Sequence, residues 1–527
     1  MKWLWPVLAG GVHALALSPW AASWHPVAPA LMQSLALCGL LLCMSRRRRA
    51  REGALDAWLY GSTWLVGATG WMFVSLHQFG GLPGWLSALA VGLLCMALSG
   101  YMALAGAAWV RWRAGVTWRD ALLWTGLWLL AELARALILT GFPWGASGYA
   151  LLDSPFDRLA PWLGVYGMGA VWCGLCAFAV LGVGGTRAVA ASARRADWPS
   201  RGLAVLPLVL AVGGLAAWPG ASFTRASGAP LSVALLQSNV PQDEKFDAAH
   251  LMAMLVWHVQ TLQQTQADLT VAPETAVPLL PEQLPAGFWD ELVRPFGPGS
   301  GRAALIGVPL GSLAKGYTNS VVGLSAGYSR ALPTDTGTEV GPYRYDKHHL
   351  VPFGEFIPLG FRWFVDLMQM PLGDFNRGPL SAPSFLVKDQ RIAPNICYED
   401  LFGEELATRF RDPTQAPTVL ANVSNLAWFG DTVAIFQHLQ IARMRSLEFQ
   451  VPTIRSTNTG ATVLIDHQGV VRARMPTQTR GVLQATVQGQ QGVTPFAHWA
   501  GRWGLWPLVV AGLVLIGVGA WPRARRP

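Results

Sequence analysis

Charged residues are scarce in this chain of 527 residues, since they make up 13% of it while 52% is hydrophobic. A soluble domain normally carries about 25% charged residues. The deficit is not uniform, because 226–498 has ordinary polarity and the long apolar runs lie on either side of it. The composition excludes a wholly soluble protein. It predicts a membrane domain at 1–225, a soluble domain at 226–498, and a last membrane helix with a basic tail at 499–527.

The apolar runs are long enough to cross a bilayer, which takes about 20 residues of helix. A window of that length finds eight segments, near 4–20, 28–44, 56–76, 84–109, 120–140, 161–185, 202–219 and 503–521. The first segment follows Lys2 and resembles a signal peptide. We interpret it as a retained helix, because no clear small-residue cleavage site follows and further spans do. About eight spans are expected.

Arginine positions predict the orientation, because Lys and Arg near span ends stay on the cytoplasmic side. With the N-terminus inside, the short cytoplasmic segments hold sixteen cations: Lys2, Arg46, Arg47, Arg48, Arg49, Arg51, Arg111, Arg113, Arg119, Arg187, Arg194, Arg195, Arg201, Arg523, Arg525 and Arg526. The short loops on the other side hold only Arg158. The soluble domain is therefore expected outside the cytoplasm, in the periplasm of a Gram-negative cell. Topology explains most of the net charge of +9, so no nucleic-acid partner is expected.

Reactive side chains are few in the polar domain. Cys397 is its only cysteine and ends an apolar run, Pro-Asn-Ile-Cys-Tyr-Glu-Asp. The other five cysteines lie in apolar stretches, where a thiol packs as a small hydrophobe: Cys38, Cys43, Cys95, Cys173 and Cys176. The chain has only five lysines against 34 arginines, and one of them, Lys347, lies in a dense polar segment at 345–355. Glu274 follows a proline at the end of an apolar strand, where open sheets place their sites.

Short apolar runs between Gly, Pro, Asn and Asp predict strands in the soluble domain. They lie at 231–237, 268–271, 303–308, 320–324, 391–396, 418–423, 453–455, 461–465 and 482–487. Helical stretches are expected near 247–265, 402–410 and 432–449, and a loop at 334–341. This alternation predicts a layered α/β or α+β domain with one core.

A Glu, a Lys and a Cys at strand ends have the parts that acyl transfer requires. The carboxylate accepts the thiol proton, and a nearby ammonium lowers the thiol pKa and holds an oxyanion. The intermediate then collapses to a thioester. Lys347 as an exposed loop lysine and Glu274 as a capping acid remain open alternatives, and so does a Cys–His pair. In that pair one of His348 and His349 at most would reach the thiol, because neighbours in a strand point to opposite faces.

Two charges break the apolar pattern within one predicted span. Glu132 and Arg135 are three residues apart, so they share a helix face and can neutralise each other. A pair that fixes this helix to its neighbours or to the turn at 141–144 is at least as good an explanation as a substrate role. The Cys173-x-x-Cys176 pattern lacks a second ligand pair and is interpreted as packing.

Three motifs around the reactive residues resemble the Glu-Lys-Cys triad of the nitrilase superfamily: Ala-Pro-Glu-Thr (272–275), Lys-His-His-Leu-Val-Pro-Phe-Gly-Glu (347–355) and Ile-Cys-Tyr-Glu (396–399). The long middle motif resembles the apolipoprotein N-acyltransferase family, the membrane-anchored branch of that superfamily. Further matches to this family are Leu-Thr-Gly-Phe-Pro-Trp (139–144), Leu-Gln-Ser-Asn-Val-Pro-Gln (236–242) and Asn-Val-Ser-Asn-Leu-Ala-Trp-Phe-Gly (422–430). The likeness covers nearly the whole chain.

This resemblance implies a multi-pass helical membrane domain with a four-layer αββα nitrilase-like domain outside the cytoplasm. Cys397 would take an acyl chain from a phospholipid, typically phosphatidylethanolamine, and pass it to the amine of a diacylglyceryl apolipoprotein. Glu274 would be the base and Lys347 the oxyanion partner. Three more residues would support them: the Tyr398 N–H, Glu355 and Glu399. The resemblance implies a monomer in the inner membrane that needs no cofactor or metal.

One position departs from the family pattern, because Phe246 stands where such enzymes commonly have tryptophan. Aromatic residues around 353–375 are interpreted either as a bilayer contact or cover for the thiol, or as local packing. Two rival functions are kept. A membrane-anchored amidase or hydrolase would use the same triad with water as the acceptor, and a transporter or binding scaffold would be expected to lack a triad member.

Overall fold

The computed structural model describes residues 2–184, 198–245, 247–328, 330–331, 342–365 and 374–521. Contacts divide the chain into two compact units. The first unit, called the helical unit here, comprises Met1–Phe73, Gly84–Ala221 and Trp503–Pro527. The second, called the sheet unit, comprises Val74–Pro83 and Ser222–Arg502. The domain limits expected from composition, at 225 and 498, remain a prediction.

Ten α-helices lie between residue 4 and residue 217 among the described residues. They are α1 (Leu4–Ala16), α2 (Pro19–Trp24), α3 (Ala28–Ser45), α4 (Ala50–Thr69), α5 (Met72–Val74), α6 (Gly84–Leu98), α7 (Gly100–Trp112), α8 (Thr117–Leu137), α9 (Ala160–Gly184) and α10 (Trp198–Ala217). A last helix, Trp506–Ala520, packs against α8. Small residues allow this approach, since a Cβ on Gly126 would lie 2.6 Å from the carbonyl oxygen of Gly512.

Four helical stretches among the described residues are long and apolar enough to cross a membrane: Ala28–Ser45, Gly84–Trp112, Thr117–Thr140 and Pro155–Val183. A fifth is found if the bent pair Pro495–Trp503 and Trp506–Ala520 is one span. Leu4–Ala16 and Leu208–Ala217 are apolar but shorter. Helices thus lie at all eight predicted segments, while the count of eight spans remains a prediction.

The Glu132–Arg135 pair organises the turn that follows α8. The two charged groups lie 3.7 Å apart and are buried. Glu132 accepts hydrogen bonds from the backbone N–H of Ser147 at 2.8 Å and from its hydroxyl at 2.6 Å. Arg135 donates to the carbonyl oxygens of Phe142 and Trp144, each at 2.7 Å. These contacts favour the structural explanation of the pair, because each charge is held by the backbone around 141–147.

The sheet unit contains fourteen strands among its described residues. They are β1 (Thr224–Ala226), β2 (Leu231–Gln237), β3 (Leu269–Val271), β4 (Ala303–Ser312), β5 (Gly316–Leu324), β6 (Tyr343–Asp346), β7 (Phe385–Val387), β8 (Gln390–Ile396), β9 (Val419–Ser424), β10 (Thr453–Thr457), β11 (Val463–Ile465), β12 (Val471–Arg474), β13 (Gly481–Val487) and β14 (Gln490–Gly492). One six-stranded sheet has the order β13-β2-β3-β4-β5-β6 and the other β12-β11-β10-β9-β8-β7, while β1 pairs with β14. In each large sheet the three neighbouring strands β2-β3-β4 or β8-β9-β10 run parallel.

Helices cover the outer faces of the two large sheets. They are α11 (Ala248–Gln264), α12 (Phe288–Val293), α13 (Arg362–Val365), α14 (Gly403–Leu406), α15 (Val433–Phe449) and α16 (Pro495–Trp503). One apolar cluster joins α11 and α12 to the first sheet, and another joins α14, α15 and α16 to the second. A third cluster contains side chains from both sheets, including Val271, Phe385 and Val423. The layers are therefore helix, sheet, sheet and helix, as expected.

Sequence patterns located nine of the fourteen strands among the described residues, including every strand of five residues or more. All nine predicted strands exist, and β4 and β5 extend beyond the runs that predicted them. The strands β1, β6, β7, β12 and β14 have three or four residues each, too few for an alternating pattern to be recognised. The predicted loop at 334–341 lies outside the described residues.

Phe385 tests the layer between the two sheets. Its side chain is fully buried among residues of both sheets, whereas Leu386, its neighbour on β7, is 53% exposed. Phe385→Ala is expected to destabilise the sheet unit by about 3–5 kcal/mol, because it leaves a cavity. Leu386→Ala is the matched control, with a change of less than about 0.5 kcal/mol. Thermal unfolding of the detergent-solubilised protein measures both, and equal melting temperatures for the two variants would contradict this packing.

Candidate active site

The sequence-predicted site residues come from the ends of strands in both sheets. Glu274 lies three residues after β3, Lys347 directly follows β6, and Cys397 directly follows β8. Asn425 directly follows β9, the parallel neighbour of β8. The carboxyl ends of parallel strands share one edge of a sheet, where α/β folds place their sites. Strand topology therefore brings together residues that are far apart in sequence.

A buried ion cluster forms the centre of the site. The Lys347 ammonium lies 2.9 Å from the Glu355 carboxylate and 3.3 Å from Glu274 Oε1. Asn319 bridges the two carboxylates, since its amide donates to Glu274 Oε1 and to Glu355 Oε1, each at 2.7 Å. Lys347 is 1% exposed. Its alternative interpretation as an exposed loop lysine is therefore wrong.

Burial and the two carboxylates act in opposite directions on Lys347. Burial lowers the pKa of the ammonium, but the charges of Glu355 and Glu274 outweigh it and raise the pKa above its usual value. Lys347 is consequently a permanent cation in this site. A fixed positive charge beside a thiol is suited to stabilising negative charge that develops during a reaction.

Cys397 lies at a strained turn. Its φ of 52° is in the left-handed region, which residues other than glycine seldom adopt. The residue begins a 3₁₀ helix, Cys397–Leu401, immediately after β8. Its carbonyl oxygen accepts a hydrogen bond from the side-chain amide of Asn422 at 3.5 Å. Strain of this kind persists where surrounding structure enforces it and is concentrated at functional sites.

Cys397 rests as a thiol. Burial raises its pKa most, and the charges of Glu274 and Glu355 raise it further, while Lys347 and a hydrogen bond from the backbone N–H of Asn425 oppose them. The net pKa is far above neutral, so the thiolate is not the resting state. Nucleophilic attack therefore needs a base that removes the proton as the new bond forms.

The carboxylate of Glu274 is held in a position that suits such a base. Its Oε2 accepts a hydrogen bond from the backbone N–H of Asn425 at 2.7 Å, and the same N–H interacts with Cys397. The Glu274 backbone packs directly on β4 at Gly307. A Cβ on Gly307 would collide with the carbonyl oxygen of Pro273 and lie 2.6 Å from the nitrogen of Thr275. Glycine is thus required for the close approach of the Glu274 backbone to the sheet.

Glu399 joins the segments that carry Lys347 and Cys397. Its carboxylate accepts hydrogen bonds from the backbone N–H groups of Ile396 and His348 and from the hydroxyl of Tyr345, each at 2.7 Å. Burial raises the pKa of Glu399, although these donors and Lys347 oppose the shift. The residues on either side of the nucleophile and the ammonium are therefore tied to one carboxylate.

Sequence reasoning missed three polar residues of this site: Lys245, Asn319 and Asn425. Asn425 lies in the family motif at 422–430 and Lys245 lies just after the one at 236–242, but the sequence assigned neither residue a role. Asn425 belongs to the segment 422–430, and its side chain donates to Gln242 of the segment 236–242 at 2.8 Å. Asn319 lies on β5 between Thr318 and Ser320, and nothing in that run indicates that its side chain bridges two carboxylates. Phe246, the expected departure from the family pattern, lies outside the described residues.

Two alternatives to the Glu-Lys-Cys arrangement find no support in the geometry. His348 Nδ1 donates to the carbonyl oxygen of Gly378 at 2.8 Å, and His349 Nδ1 lies 2.9 Å from Glu405 Oε1, so neither Nδ1 is paired with the Cys397 thiol. A Gly-Leu-Ser-Ala-Gly pattern at 323–327, typical of serine hydrolases, was overlooked in the sequence. It ends β5 and enters a turn, whereas a nucleophilic serine of that class lies between a strand and a helix. Among the described residues no group of three or more His, Cys, Asp or Glu is arranged to hold a metal ion.

Comparison with known proteins places this site in a family. The family model for the apolipoprotein N-acyltransferase N-terminal domain matches residues 10–179, and that for carbon-nitrogen hydrolase matches residues 232–494. A curated apolipoprotein N-acyltransferase of Verminephrobacter eiseniae is 44% identical over 95% of this chain and 93% of its own length. The chain belongs to the apolipoprotein N-acyltransferase family. A family member from Ralstonia nicotianae is 42% identical over 98% of this chain and 93% of its own, and one from Pseudomonas syringae is 35% identical over 98% of each.

Solved structures of carbon-nitrogen hydrolases match the chain in part. A carbon-nitrogen hydrolase from Helicobacter pylori is 14% identical, covering 53% of this chain and 94% of its own, with a TM-score of 0.33. An amidase from Nesterenkonia sp. is 14% identical over 50% of this chain and 92% of its own, also with a TM-score of 0.33. The sequence resemblance to the apolipoprotein N-acyltransferase family is confirmed by the curated relatives.

Gly307 provides a test of how closely the base must be placed. Gly307→Ala is expected to push back the backbone of Glu274 and to lower kcat/KM by about 10²-fold, the effect of a displacement near 1 Å at a catalytic group. Gly327→Ala is the matched control, because a Cβ there would meet only the Ser325 hydroxyl oxygen at 3.9 Å. Acyl transfer is measured for both in detergent micelles. Unchanged activity of Gly307→Ala, with its fold intact, would contradict the placement of Glu274.

Proposed function

We infer that this chain transfers an acyl group from a membrane phospholipid, through a thioester on Cys397, to the N-terminal amine of diacylglyceryl-cysteine in an apolipoprotein. The observation that carries the inference is the thiol of Cys397 beside the buried cluster of Lys347, Glu274 and Glu355. Relatives named apolipoprotein N-acyltransferase match nearly the full length of the chain. The family name indicates the acceptor, an apolipoprotein. We infer a phospholipid donor because the reaction needs an acyl ester that is present in the membrane.

In the first half-reaction Cys397 Sγ attacks the carbonyl carbon of the acyl ester. The thiol proton passes to the Glu274 carboxylate as the S–C bond forms. Lys347 stabilises the negative charge on the carbonyl oxygen, with the backbone N–H of Tyr398 as the second donor. The ester C–O bond then breaks and Glu274 returns the proton to the leaving oxygen. The products are an acyl-thioester and a lysophospholipid.

In the second half-reaction the α-amine of the apolipoprotein attacks the thioester carbonyl. The N–C bond forms, the C–S bond breaks, and the amine proton passes through Glu274 to the Cys397 sulfur. Glu355 keeps Lys347 in place during both steps, and Glu399 holds the segments that carry Lys347 and Cys397. The cycle returns every group to its starting protonation state, so the mechanism needs no cofactor.

The proposal includes a place in the cell. We assign the chain to the inner membrane of a Gram-negative bacterium as a monomer with about eight spans and with the sheet unit in the periplasm. The cation distribution along the sequence supports this orientation. Three apolar residues of the 353–365 segment support contact with the bilayer, since Leu359, Phe361 and Trp363 are 101%, 44% and 62% exposed. The 366–373 part of the aromatic stretch at 353–375 lies outside the described residues.

A membrane-anchored hydrolase is the alternative, because the same triad can pass its acyl group to water. The family assignment favours the transferase. The identity of the acceptor, an amine or water, therefore distinguishes the transferase from the hydrolase. The scaffold alternative is disfavoured because Glu274, Lys347 and Cys397 lie in one buried site.

The acceptor test follows the fate of the acyl chain. Purified protein is incubated with phosphatidylethanolamine labelled in the sn-1 chain, together with a diacylglyceryl peptide whose amine is either free or acetylated. The label is expected on the peptide only when the amine is free, because the amide bond requires it. Glu274→Gln should slow the transfer by about 10²–10⁴-fold, the contribution of a general base.

Two outcomes would overturn the proposal. Release of the label as free fatty acid at the same rate with either peptide would identify a hydrolase. Transfer that persists in Cys397→Ser would exclude the thioester route. Phosphatidylglycerol with the same acyl chain is the matched donor, and a higher rate with it would correct the headgroup while leaving the reaction class intact.

A further inference from the structure

A second buried lysine lies behind the proposed base. Lys245 is 2% exposed, and its ammonium donates to the backbone carbonyl oxygen of Glu274 at 3.1 Å and to the hydroxyl of Thr275 at 2.5 Å. The two acceptors belong to consecutive residues. The ammonium therefore binds the turn that carries the Glu274 carboxylate. The carboxylate itself is held by Lys347, Asn319 and the backbone N–H of Asn425.

That turn needs to be held. Thr275 has a φ of 47°, in the left-handed region, which is a rare conformation for a β-branched side chain. A conformation of this kind persists only when its surroundings enforce it. Gly307 supports the turn from the sheet side, and the backbone N–H of Ala276 closes it on the carbonyl oxygen of Pro273 at 3.2 Å. Lys245 supplies the contact from a separate segment of the chain.

Two of the groups that interact electrostatically with Lys245, Glu274 and Cys397, belong to the proposed reaction. Its electrostatic neighbours are Glu274, Cys397 and His258. Burial lowers the pKa of Lys245 to about 8, while Glu274 and Cys397 act in the opposite direction. His258 on α11 does not titrate in the same range, because burial lowers its pKa to about 4. Lys245 is thus charged below about pH 8 and becomes neutral above it.

We propose that Lys245 is a positioning residue for acyl transfer, which fixes the Glu274–Thr275 turn and supplies a second positive charge to the site. This inference rests on the proposed role of Glu274. With Lys245 charged, two ammonium groups balance the carboxylates of Glu274 and Glu355. With Lys245 neutral, the same site carries one excess negative charge, which opposes the oxyanion that forms when Cys397 attacks.

The test is the pH dependence of Cys397 acylation by phosphatidylethanolamine in a single turnover, followed by intact mass. Lys245→Met keeps the length and apolar stem of the side chain and removes the charge. At pH values well below 8 it should acylate about tenfold more slowly than the wild type, the effect of one nearby charge. Above that pH the wild-type Lys245 loses its own proton, so the difference between the two rates should shrink to the part that is due to the hydrogen bonds a neutral amine still donates to the Glu274–Thr275 turn.

Lys315→Met is the matched control, because Lys315 is exposed on the β4–β5 loop, and it should follow the wild type at every pH. Thr275→Val offers a second test that leaves Lys245 in place. Loss of one acceptor disfavours the charged ammonium, so the fall in rate near pH 8 should move to lower pH. An unchanged profile in Thr275→Val would overturn the inference even if Lys245→Met fails to fold.

The remaining outcomes separate this inference from the proposed function. If Glu274→Gln loses acylation while Lys245→Met matches the wild type throughout, only the role of Lys245 is wrong. If Lys245→Met slows acylation by the same factor at every pH, the side chain contributes packing alone, and the inferred role of Lys245 is overturned. If Glu274→Gln acylates Cys397 normally, the proposed base is wrong and the role of Lys245 fails with it.

Discussion

The site depends on burying one ammonium between two carboxylates. Lys347 contacts Glu355 at 2.9 Å and Glu274 at 3.3 Å, and Asn319 bridges both acids. Removing Lys347 would leave two buried carboxylates without the cation that they share, which is strongly unfavourable. The cluster therefore fixes the relative positions of strands β3, β5 and β6. It also provides a permanent positive charge beside Cys397, whose own pKa is raised by burial.

The fold provides this arrangement through backbone positions more than through side-chain contacts. Cys397 and Thr275 both adopt left-handed φ values, and each follows a short parallel strand. The base turn lies against Gly307, which leaves room for the backbone where any Cβ would collide with it. The backbone N–H of Asn425 then serves Glu274 and Cys397 together. A thiol that rests protonated is consequently placed near the carboxylate that we propose as its base.

The sequence predicts those features of the fold and of the site that depend on neighbouring residues, and it misses those that depend on contacts between distant segments. Cys397 and Glu274 were predicted because each is a reactive residue at the end of an apolar run, and Lys347 because lysine is rare in this chain. Asn319 and Asn425 were not, since their roles depend on strand pairing and on a backbone N–H that no side-chain pattern reveals. Nine of the fourteen strands among the described residues were recognised, and the five that were missed have only three or four residues each. Apolar segments of the helical unit were located by composition, but among the described residues length and apolarity alone support four spans, or five with the bent pair.

The most direct test of this account is the mass of the protein after incubation with phospholipid alone, without an acceptor. The account predicts one acyl adduct, located on Cys397 and released by hydroxylamine, in the wild type. Lys347→Met should accumulate far less of it, because the charge that stabilises the oxyanion is missing. An adduct on another residue, or equal acylation of Cys397 in Lys347→Met, would contradict the central role of the buried ammonium.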